Sequence, residues 1–428
     1  MIEQTLDYLY NLKREGIKMD LKATKDFAEH LGNPQDKFKS IHIAGTNGKG
    51  SIASYVYNIL RQEFRTGMYT SPHLLNFNER IILGTEPIPD QYILNFINSN
   101  RAYIDNLGII YRNPTFFETT TVMAFKYFAD NNADYAAVEV GLGGRLDSTN
   151  IIIPEVSVIA QIGYEHYQRL GCSLTSIAHE KGGIIKSNRP VILLDDKPEV
   201  VAEIKKIADV RNSKLIMVNN YCSVSDLKYN LGGMAFTVKT PYDEYNIKTS
   251  NLGLFQVKNV CTAISAVEAL PEGKPEKSVI EKGISESRWP SRFEVISREP
   301  LIIMDSSHNP PAASALVETY KKFVDRKPLL VIGMLDDKDY FSYMSILRKI
   351  SDSVVLTTPD EPGRFLDPAL LKEGIRHMFP ETKVIRDPIE AFNYARSNSD
   401  CVLVTGSMYL VGMLKKYLNS PVRPFNMD

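Results

Sequence analysis

The 428-residue sequence has few cysteines and almost no net charge. Its four cysteines, Cys172, Cys222, Cys261 and Cys401, are far apart and form no CxxC pair, which argues against a zinc cage or a disulfide framework. Lysine and arginine number 50 against 51 acidic residues. The resulting net charge of -1 gives no overall field that would attract nucleic acid or a membrane, so we expect binding at a local site.

Targeting and membrane signals are also missing from the sequence. No stretch reaches the about 18 apolar residues that a spanning helix requires. Glu3 and Asp7 interrupt the region where a signal peptide would need an apolar core, so a cytoplasmic enzyme is expected. The 43% hydrophobic and 24% charged residues are typical of folded globular proteins. The length predicts two or three domains of about 150 residues each.

Strand-like and helix-like stretches alternate along the chain. Two short helical patterns precede an apolar run at residues 40–44, which enters a glycine-rich turn and then a stretch of helical period. Further strands are predicted at 135–140, 156–162, 190–194 and 214–218, and helices at 118–131, 174–181 and 198–209. Strands alternating with helices imply right-handed crossovers and a mostly parallel sheet.

In the second half of the sequence, a segment with a hairpin and two helices interrupts the alternation of strands and helices, which then restarts. A hairpin is predicted within residues 223–249, and helices at 257–270 and 276–286. The polar stretch from Ser287, which contains Pro290, indicates a linker. Beyond it, strands are predicted at 301–305, 329–333, 354–358 and 401–405, and helices at 311–325, near 340–350, near 368–378 and near 388–397.

The strongest local motif is the glycine-rich turn at residues 44–51, AGTNGKGS. Glycines let backbone N–H groups approach phosphate, the start of a helix adds positive potential, and Lys49 supplies a charge for the terminal phosphate oxygens. The spacing departs from G-x4-G-K-[ST], because Gly45 lies three positions before Gly48 and Ser51 follows Gly50. The residues favour a nucleoside triphosphate site, and an ordinary glycine-rich turn is the alternative.

These patterns together predict an α/β fold with two domains. Residues 1–286 form an N-terminal P-loop, parallel-sheet ATPase domain, and residues 287–299 form a linker. Residues 300–428 form a smaller C-terminal α/β domain of Rossmann-like type. Ligands of open α/β sheets bind where the carboxyl ends of the strands meet, so polar residues at strand ends are the candidates for function.

An acidic residue inside an apolar strand is the next candidate. Glu139 ends the run YAAVE and precedes the segment GLGGRLDSTN. Burial of a carboxylate is costly unless it meets a cation, so Glu139 is a candidate magnesium ligand. Pairing with Arg145 or another basic residue is the alternative.

Other strand-end fragments could contribute to the same site or to a second one. Residues 70–73 (TSPH) and Glu165-His166 could complete a metal site, although a histidine such as His166, taken alone, is more often an ordinary loop residue than a ligand. Lys181, in residues 179–186 (HEKGGIIK), lies near a helix end, where a solvated lysine is the alternative. In the second domain, residues 305–310 (DSSHNP) and 405–409 (TGSMY) are polar loops at strand ends, compatible with turn chemistry or with binding.

Taken together and in this order, the motifs resemble those of the folylpolyglutamate synthase/dihydrofolate synthase family of the Mur ligase superfamily. The resemblance covers residues 31–410, nearly the whole chain. It is carried by GTNGKGS, by the pair TSPHL and FNERI, and by EVGLGGRLDSTN, HEKGGIIK, SSHNP and TGSMYL. The set is far more specific than any one of its members.

The resemblance implies roles for particular residues. For ATP it implies binding by Asn47, Gly48, Lys49, Gly50, Ser51, Asn259, Arg292 and Asp305. For magnesium it implies Ser71, Glu139 and His166, with a second magnesium site, a carbamylated Lys181 and a monovalent cation. For the pterin or folate substrate it implies Thr115, Phe116, Phe117, Glu118, Leu146, Asp147 and Ser148. For the incoming glutamate it implies His308 and Ser407, and Lys49, Lys181 and His308 are the implied catalytic residues.

Three segments depart from the family pattern. The first is Lys18-Met-Asp-Leu21, which stands where the family often has Lys-Leu-Gly-Leu in an early helix on the pterin side. Ser306-Ser307 stands where the family loop usually has Gly-Ala, which adds bulk and hydroxyls where backbone approaches a ligand. Glu165 stands where the family usually has Asp before the metal histidine.

The resemblance implies an ATP-dependent ligase that adds L-glutamate to dihydropteroate, to folates or to both through an acyl phosphate. It implies small-molecule partners, no nucleic acid or membrane partner, and a monomer. The alternatives are another Mur-type amide ligase that acts on a different carboxylate and a catalytically lapsed ATP-binding module. A cell-wall Mur enzyme is disfavoured because little sequence precedes Ala44, and a GTP switch because the sequence has no Asn-Lys-x-Asp motif.

Overall fold

The structure is a computed structural model that describes residues 2–12, 20–164, 170–359 and 364–418. By its internal contacts the chain divides into two units. The first consists of Met1–Ser225, Thr237–Ile247 and Asn259–Glu286, and the second of Asp226–Phe236, Lys248–Lys258 and Ser287–Asp428. No helix among the described residues combines the length and the apolar character needed to cross a bilayer.

The described chain has strands of two to eight residues. They are β1 (Lys39–Ala44), β2 (Thr66–Tyr69), β3 (Ile81–Leu83), β4 (Glu86–Pro87), β5 (Tyr135–Glu139), β6 (Val156–Ile159), β7 (Val191–Leu193), β8 (Leu215–Met217), β9 (Ser223–Asn230), β10 (Gly233–Lys239), β11 (Glu244–Thr249), β12 (Glu294–Arg298), β13 (Leu301–Met304), β14 (Leu329–Ile332), β15 (Ser353–Leu356), β16 (Glu381–Val384) and β17 (Cys401–Thr405).

The helices of the described chain alternate with most of these strands. They are α1 (Ile2–Asn11), α2 (Lys22–His30), α3 (Lys49–Leu60), α4 (Asp90–Ile110), α5 (Phe116–Asp130), α6 (Leu174–Gly182), α7 (Pro198–Val210), α8 (Val218–Tyr221), α9 (Leu254–Glu268), α10 (Lys277–Glu286), α11 (Pro310–Phe323), α12 (Tyr340–Leu347), α13 (Pro368–Ile375), α14 (Pro388–Asn398) and α15 (Met408–Tyr417). Short 3-10 helices lie at Pro34–Asp36, Phe77–Arg80 and Ser148–Ile151.

The first unit is built on an eight-stranded sheet with the order β4-β3-β2-β5-β1-β6-β7-β8. The strands from β2 to β8 in this order pair in parallel, and β3 and β4 add an antiparallel edge. In register, Ile43 of β1 is opposite Glu139 of β5, and Ala44 is opposite Ile159 of β6. The loops that follow these three strands therefore start at the same edge of the sheet.

Apolar side chains cover this sheet in two buried clusters. One joins α1, α2, α4 and α5 to β2, β3 and β5, and includes Phe27, Phe125 and Phe128. The other joins α6 and α7 to β6 and β7, and includes Ile177 and Ile204. Burial of two separate helix layers fixes the sheet and the loops at its edge.

The second unit contains a six-stranded sheet with the order β12-β13-β17-β14-β15-β16. Its strands pair in parallel except for β12, which lies antiparallel to β13. The loops after β13 and β17 leave adjacent strands, since Met304 is opposite Val404. A separate antiparallel sheet has the order β11-β10-β9.

The expected α/β fold class is confirmed, and so is the hairpin of β9 and β10. Two differences concern the second unit. Glu294–Arg298, which the sequence suggested as part of a linker, forms the strand β12. The strand β16 was not predicted, because its residues Glu381–Val384 alternate between exposed and half-buried positions and form no apolar run.

Candidate active site

The glycine-rich turn joins β1 to α3 as its sequence predicted. Gly48 is the residue before the helix and has φ +89°, which glycine adopts without strain. A Cβ at this position would lie 2.8 Å from Asn259 Oδ1, so any other residue would also meet the Asn259 side chain. The structure thus places Asn259, on α9, against the turn, and both residues were expected at an ATP site.

Lys49 folds back over the turn from the first position of α3. Its Nζ donates to the carbonyl oxygens of Gly45, at 2.9 Å, and Thr46, at 3.1 Å. The Thr46 hydroxyl donates to Gly163 O and accepts from Gly163 N, which ties the turn to the segment after β6. A helix N-terminus and a lysine ammonium therefore concentrate positive charge at this turn.

Lys181 reaches the same turn from α6. It is 1% exposed, and its Nζ donates to Gly45 O at 2.8 Å. The residues around it pack closely on the segment after β5: Arg145 N donates to Glu180 O at 2.7 Å, and a Cβ on Gly183 would lie 2.3 Å from that of Arg145. Lys181 is thus buried beside the glycine-rich turn rather than solvated.

Glu139 and Ser71 lie together at the ends of β5 and β2. Glu139 is 5% exposed, and its Oε2 accepts from Ser71 N at 3.0 Å. A buried carboxylate supplies hard oxygens of the kind that magnesium prefers, and the contact between Ser71 and this carboxylate is made by the Ser71 backbone N–H. His166 and Glu165 lie outside the described residues, and the part of the chain that is described holds no cluster of three or more His, Cys, Asp or Glu suited to a metal ion.

Thr115 and Glu118 form the capping box that starts α5. Glu118 Oε2 accepts from Thr115 N at 2.6 Å, and Thr115 Oγ1 accepts from Glu118 N at 3.2 Å. The carboxylate of Glu118 also pairs with Arg112 at 2.7 and 2.8 Å, and Arg112 pairs with Asp20 at 2.9 Å. The oxygens of Glu118 are therefore bound to protein groups, and Arg112, which the sequence analysis missed, holds the start of α5.

The aromatic pair at the start of α5 lies among other rings. Phe116 stacks on Tyr10 with centroids 5.6 Å apart, and the Arg80 guanidinium lies 5.1 Å from the Phe116 centroid. Phe117 stacks on Tyr69 at 6.0 Å. Flat apolar surfaces with a neighbouring cation suit a fused heterocyclic ring. The contacts of Tyr10 and Arg80 with Phe116 were not predicted. Arg80 belongs to the motif FNERI, but nothing in the local sequence of either residue indicates the contact.

Asp147 is buried in the loop that also carries Leu146 and Ser148. Its carboxylate accepts from Leu142 N at 2.7 Å and from Thr149 N at 3.0 Å. Burial raises the pKa of Asp147 above its usual value, and the hydrogen bonds from Thr149 oppose this. Ser148 is buried and Leu146 half-buried. The contacts of Asp147 hold the shape of the loop.

A chain of buried polar groups continues from this loop into the sheet. The Thr149 hydroxyl donates to Asp147 Oδ1 at 2.5 Å and lies 2.8 Å from His42 Nε2. Because the hydroxyl has given its hydrogen to the carboxylate, His42 Nε2 donates to it. Burial holds the pKa of His42 well below its usual value. The central strand β1 and the loop after β5 are thereby joined by side chains.

In the second unit, Asp305 fixes the loop that follows β13. Its Oδ1 accepts from Ser307 N and its Oδ2 from Phe293 N, both at 2.8 Å. Arg292 therefore lies in a segment bound to this loop. His308 Nδ1 lies 3.0 Å from Ser306 O, and since a carbonyl only accepts, Nδ1 carries the hydrogen.

The two serines that depart from the family pattern differ in their surroundings. The Ser307 hydroxyl lies 2.9 Å from that of Thr405 and 3.0 Å from that of Tyr343, and the last two are 2.8 Å apart. The Ser306 hydroxyl is buried and has no hydrogen-bond partner among the described residues. Ser407, expected near glutamate, accepts from Leu410 N at 3.1 Å and caps α15.

Each unit thus brings together its own subset of the expected residues. The first unit brings Lys49, Lys181 and Asn259 together at the glycine-rich turn. It also gathers the Ser71–Glu139 pair and the aromatic start of α5. In the second unit, the Asp305 carboxylate accepts from Phe293 N, the residue after Arg292, and His308 Nδ1 donates to Ser306 O of the same loop.

Family models match most of the chain. The Mur ligase middle domain matches residues 43–267, and the Mur ligase glutamate ligase domain matches residues 291–408. The first of these models alone spans more than half of the sequence and includes the glycine-rich turn.

Individual relatives match over nearly their whole length. The dihydrofolate synthase/folylpolyglutamate synthase of Bacillus subtilis is 30% identical over 419 residues, 96% of this chain and 97% of the relative. The folylpolyglutamate synthase of Lacticaseibacillus casei is 32% identical over 430 residues, with 97% and 98% covered. The Mycobacterium tuberculosis folylpolyglutamate synthase, solved with ADP and AMPPCP, superposes with a TM-score of 0.91 at 29% identity, with 97% and 99% covered. The chain therefore belongs to the folylpolyglutamate synthase/dihydrofolate synthase family of the Mur ligases, as its motifs predicted.

Proposed function

We propose that this protein is an ATP-dependent ligase that forms an amide between L-glutamate and the carboxylate of dihydropteroate, of folates or of both. The observation that carries the proposal is the convergence of two lysines on the glycine-rich turn. Lys49 Nζ and Lys181 Nζ both donate to Gly45 O, at 2.9 and 2.8 Å. Lys49 and the N-terminus of α3 supply the positive charge that a triphosphate requires, and Lys181 adds to this charge in its unmodified ammonium form.

The chemistry follows from the low reactivity of a carboxylate. Its oxygen attacks the terminal phosphorus of ATP, which forms an acyl phosphate and releases ADP. The amine of L-glutamate then attacks the acyl carbon, and the tetrahedral intermediate collapses to the amide with loss of phosphate and one proton. Negative charge is spread over the transferring oxygens in the first step, so Lys49 is assigned to stabilise it.

The nucleotide contacts are assigned from the residues around the turn and in the second unit. Asn47, Gly48, Gly50 and Ser51 offer backbone and side-chain donors at the start of α3. Asn259 lies against Gly48 and is assigned to the adenine. Arg292 and Asp305 are assigned to phosphate and ribose.

Magnesium fits the oxygens of Glu139 and Ser71, and we assign His166 as the third ligand. When bound, magnesium would neutralise phosphate charge and polarise the phosphoryl oxygens. Carbamylation would convert Lys181 from a hydrogen-bond donor into a carboxylate-like group suited to a second metal ion. The monovalent cation is assigned to the same region on the family resemblance alone.

The pterin is assigned to the aromatic start of α5. Phe116 and Phe117 provide the flat surfaces, and Leu146 and Ser148 lie on the loop that Asp147 holds. Thr115 and Glu118 act by fixing the helix start, because their polar atoms bond to one another and to Arg112. His308 and Ser407 are assigned to L-glutamate in the second unit.

We also propose the domain limits suggested by the sequence, namely 1–286, 287–299 and 300–428, with β12 as the part of the linker segment that pairs with the second sheet. We further propose a monomeric cytoplasmic enzyme. The near-zero net charge and the balanced composition support a protein with small-molecule partners only.

One assay tests the function directly. Purified protein is incubated with radiolabelled L-glutamate and ATP-magnesium, with dihydropteroate in one reaction and tetrahydrofolate in another. Label in the pterin product, together with one ADP per amide, is the expected result. If ATP is consumed only with some other carboxylate, the substrate assignment is wrong; if no nucleotide is consumed with any, the protein is a lapsed ATP-binding module.

A further inference from the structure

Two residues that flank Arg292 have unusual backbone conformations. Seven non-glycine residues of the described chain have positive φ, and five of these are Asn or Asp, which tolerate this region. The other two are Ser291, with φ +62°, and Phe293, with φ +48°. Such strain persists only where neighbouring groups hold it, and it is concentrated at functional sites.

Hydrogen bonds hold both sides of this strained segment. Ser306 N donates to Ser291 O at 2.9 Å, and Phe293 N donates to Asp305 Oδ2 at 2.8 Å. Ser291 N donates to Glu294 Oε2 at 2.7 Å. The backbones at Ser291 and Ser306 are therefore neighbours, and Arg292 lies in a turn that is fixed at both ends.

The side chains of Ser291, Arg292 and Ser306 have hydrogen-bond donors that no described residue accepts from. Ser291 is 2% exposed and Ser306 is 3% exposed, and theirs are the two serine hydroxyls that are buried without a hydrogen-bond partner in the described part of the chain. Arg292 likewise forms no hydrogen bond or ion pair with any described residue. A buried hydroxyl without a partner costs about as much free energy as a lost hydrogen bond, so this arrangement is incomplete as it stands.

We propose that Ser291, Arg292 and Ser306 form one anion cradle, in which both serine hydroxyls donate to oxygens of the anionic group that Arg292 binds. The anion is a phosphate of the nucleotide or a carboxylate of the amino acid, and the inference rests on the proposed function for both. The guanidinium can only donate, and hydroxyls can donate as well, so the three groups share an acceptor. Glycine would adopt φ +62° without strain, whereas serine adds a hydroxyl at the cost of strain.

Three single variants separate ligand binding from stability. Ser291→Gly removes the hydroxyl and the strain together, so its melting temperature should equal or exceed that of the wild type. Ser306→Ala removes the second hydroxyl. Ser297→Ala is the matched control, because the Ser297 hydroxyl bonds to Glu299 O at 3.4 Å on the same segment.

Equilibrium binding of ADP and of L-glutamate is measured for each variant by titration calorimetry, together with KM for ATP and for L-glutamate. We expect Ser291→Gly and Ser306→Ala to weaken binding of the same one ligand about tenfold, the loss typical of one hydrogen bond to a charged group, while Ser297→Ala binds as the wild type. Weaker ADP binding identifies the anion as phosphate, and weaker glutamate binding identifies it as carboxylate.

The cradle is rejected if both hydroxyl variants bind both ligands within twofold of the wild type, or if each weakens a different ligand. Failure of the proposed function gives a different pattern, because binding does not require turnover. In that case the wild type forms no amide, yet the same one ligand, ADP or L-glutamate, still binds more weakly to both hydroxyl variants than to the control.

Discussion

Lys181 Nζ lies 2.8 Å from the carbonyl oxygen of Gly45, although the two residues are 136 positions apart in the sequence. The lysine is buried and donates to the turn that carries Lys49, so α6 supports the glycine-rich turn directly. A carbamylated Lys181 would place a negative group against a carbonyl, so carbamylation requires a cation or a rotation of the side chain. Density beyond Nζ in a crystal structure would establish which state the protein adopts.

The first prediction concerns Lys49. Lys49→Ala should lower ATP-dependent glutamate incorporation by at least about 100-fold, because a charge that stabilises the transferring phosphoryl group is lost. Circular dichroism and melting temperature should remain close to those of the wild type. Lys206→Ala, on the exposed face of α7, is the matched control. Near-normal turnover in Lys49→Ala would remove Lys49 from the phosphate site.

The second prediction concerns Glu139. Glu139→Gln keeps the shape of the side chain but removes the negative charge, so the magnesium concentration for half-maximal activity should rise about tenfold or more. A magnesium titration of the initial rate measures this. Glu63→Gln, at an exposed position, is the control. An unchanged titration in Glu139→Gln would show that this carboxylate is not a ligand.

The third prediction concerns Arg112. Arg112→Met leaves Glu118, whose side chain is 3% exposed, without its cation, so the free energy of unfolding should fall by about 3 kcal/mol. KM for the pterin substrate should rise as well, because the start of α5 loses its support. Adding Glu118→Gln to Arg112→Met should restore part of the stability. If the double variant is less stable than Arg112→Met alone, charge burial is not the cause.

The fourth prediction concerns the dependence of stability on pH. Burial lowers the pKa of Lys186 to about 8, well below its value in the unfolded chain. Between about pH 8 and 10 the unfolded state therefore binds more protons than the folded state at this site, so stability increases with pH. Relative to Lys186→Met, the wild type should gain about 2 kcal/mol in the free energy of unfolding over this range. Urea unfolding at pH 7, 8, 9 and 10 measures the difference, and parallel curves would contradict it.

The fifth prediction concerns the hydroxyl cluster of Ser307, Thr405 and Tyr343. Tyr343→Phe removes one of three mutually bonded buried hydroxyls and should lower the free energy of unfolding by about 1 to 2 kcal/mol. Because the cluster joins the loop after β13 to the end of β17 and to α12, KM for L-glutamate should rise while KM for the pterin stays constant. Tyr340→Phe, on the same helix, is the control. A fall in stability with unchanged kinetics would make the cluster purely structural.

Local patterns in the sequence were sufficient for much of the first unit. The apolar run, glycine-rich turn and helical period at residues 40–60 correctly predicted β1 and α3, since each is determined by neighbouring residues. The contact of Arg112 with Asp20 could not be predicted in this way, because it joins residues 92 positions apart. The strand β12 was missed for a similar reason: its residues are half-buried and become a strand through pairing with β13.

The strand order of the first sheet has a consequence for how such an enzyme can change over evolution. The glycine-rich turn follows β1, which has β5 on one side and β6 on the other. The backbone hydrogen bonds between these strands therefore fix where all three loops begin. The loop sequences can then change while the strand ends that position the glycine-rich turn stay in place. We therefore expect the loops that determine substrate specificity to vary in sequence, and the turn assigned to ATP to be retained.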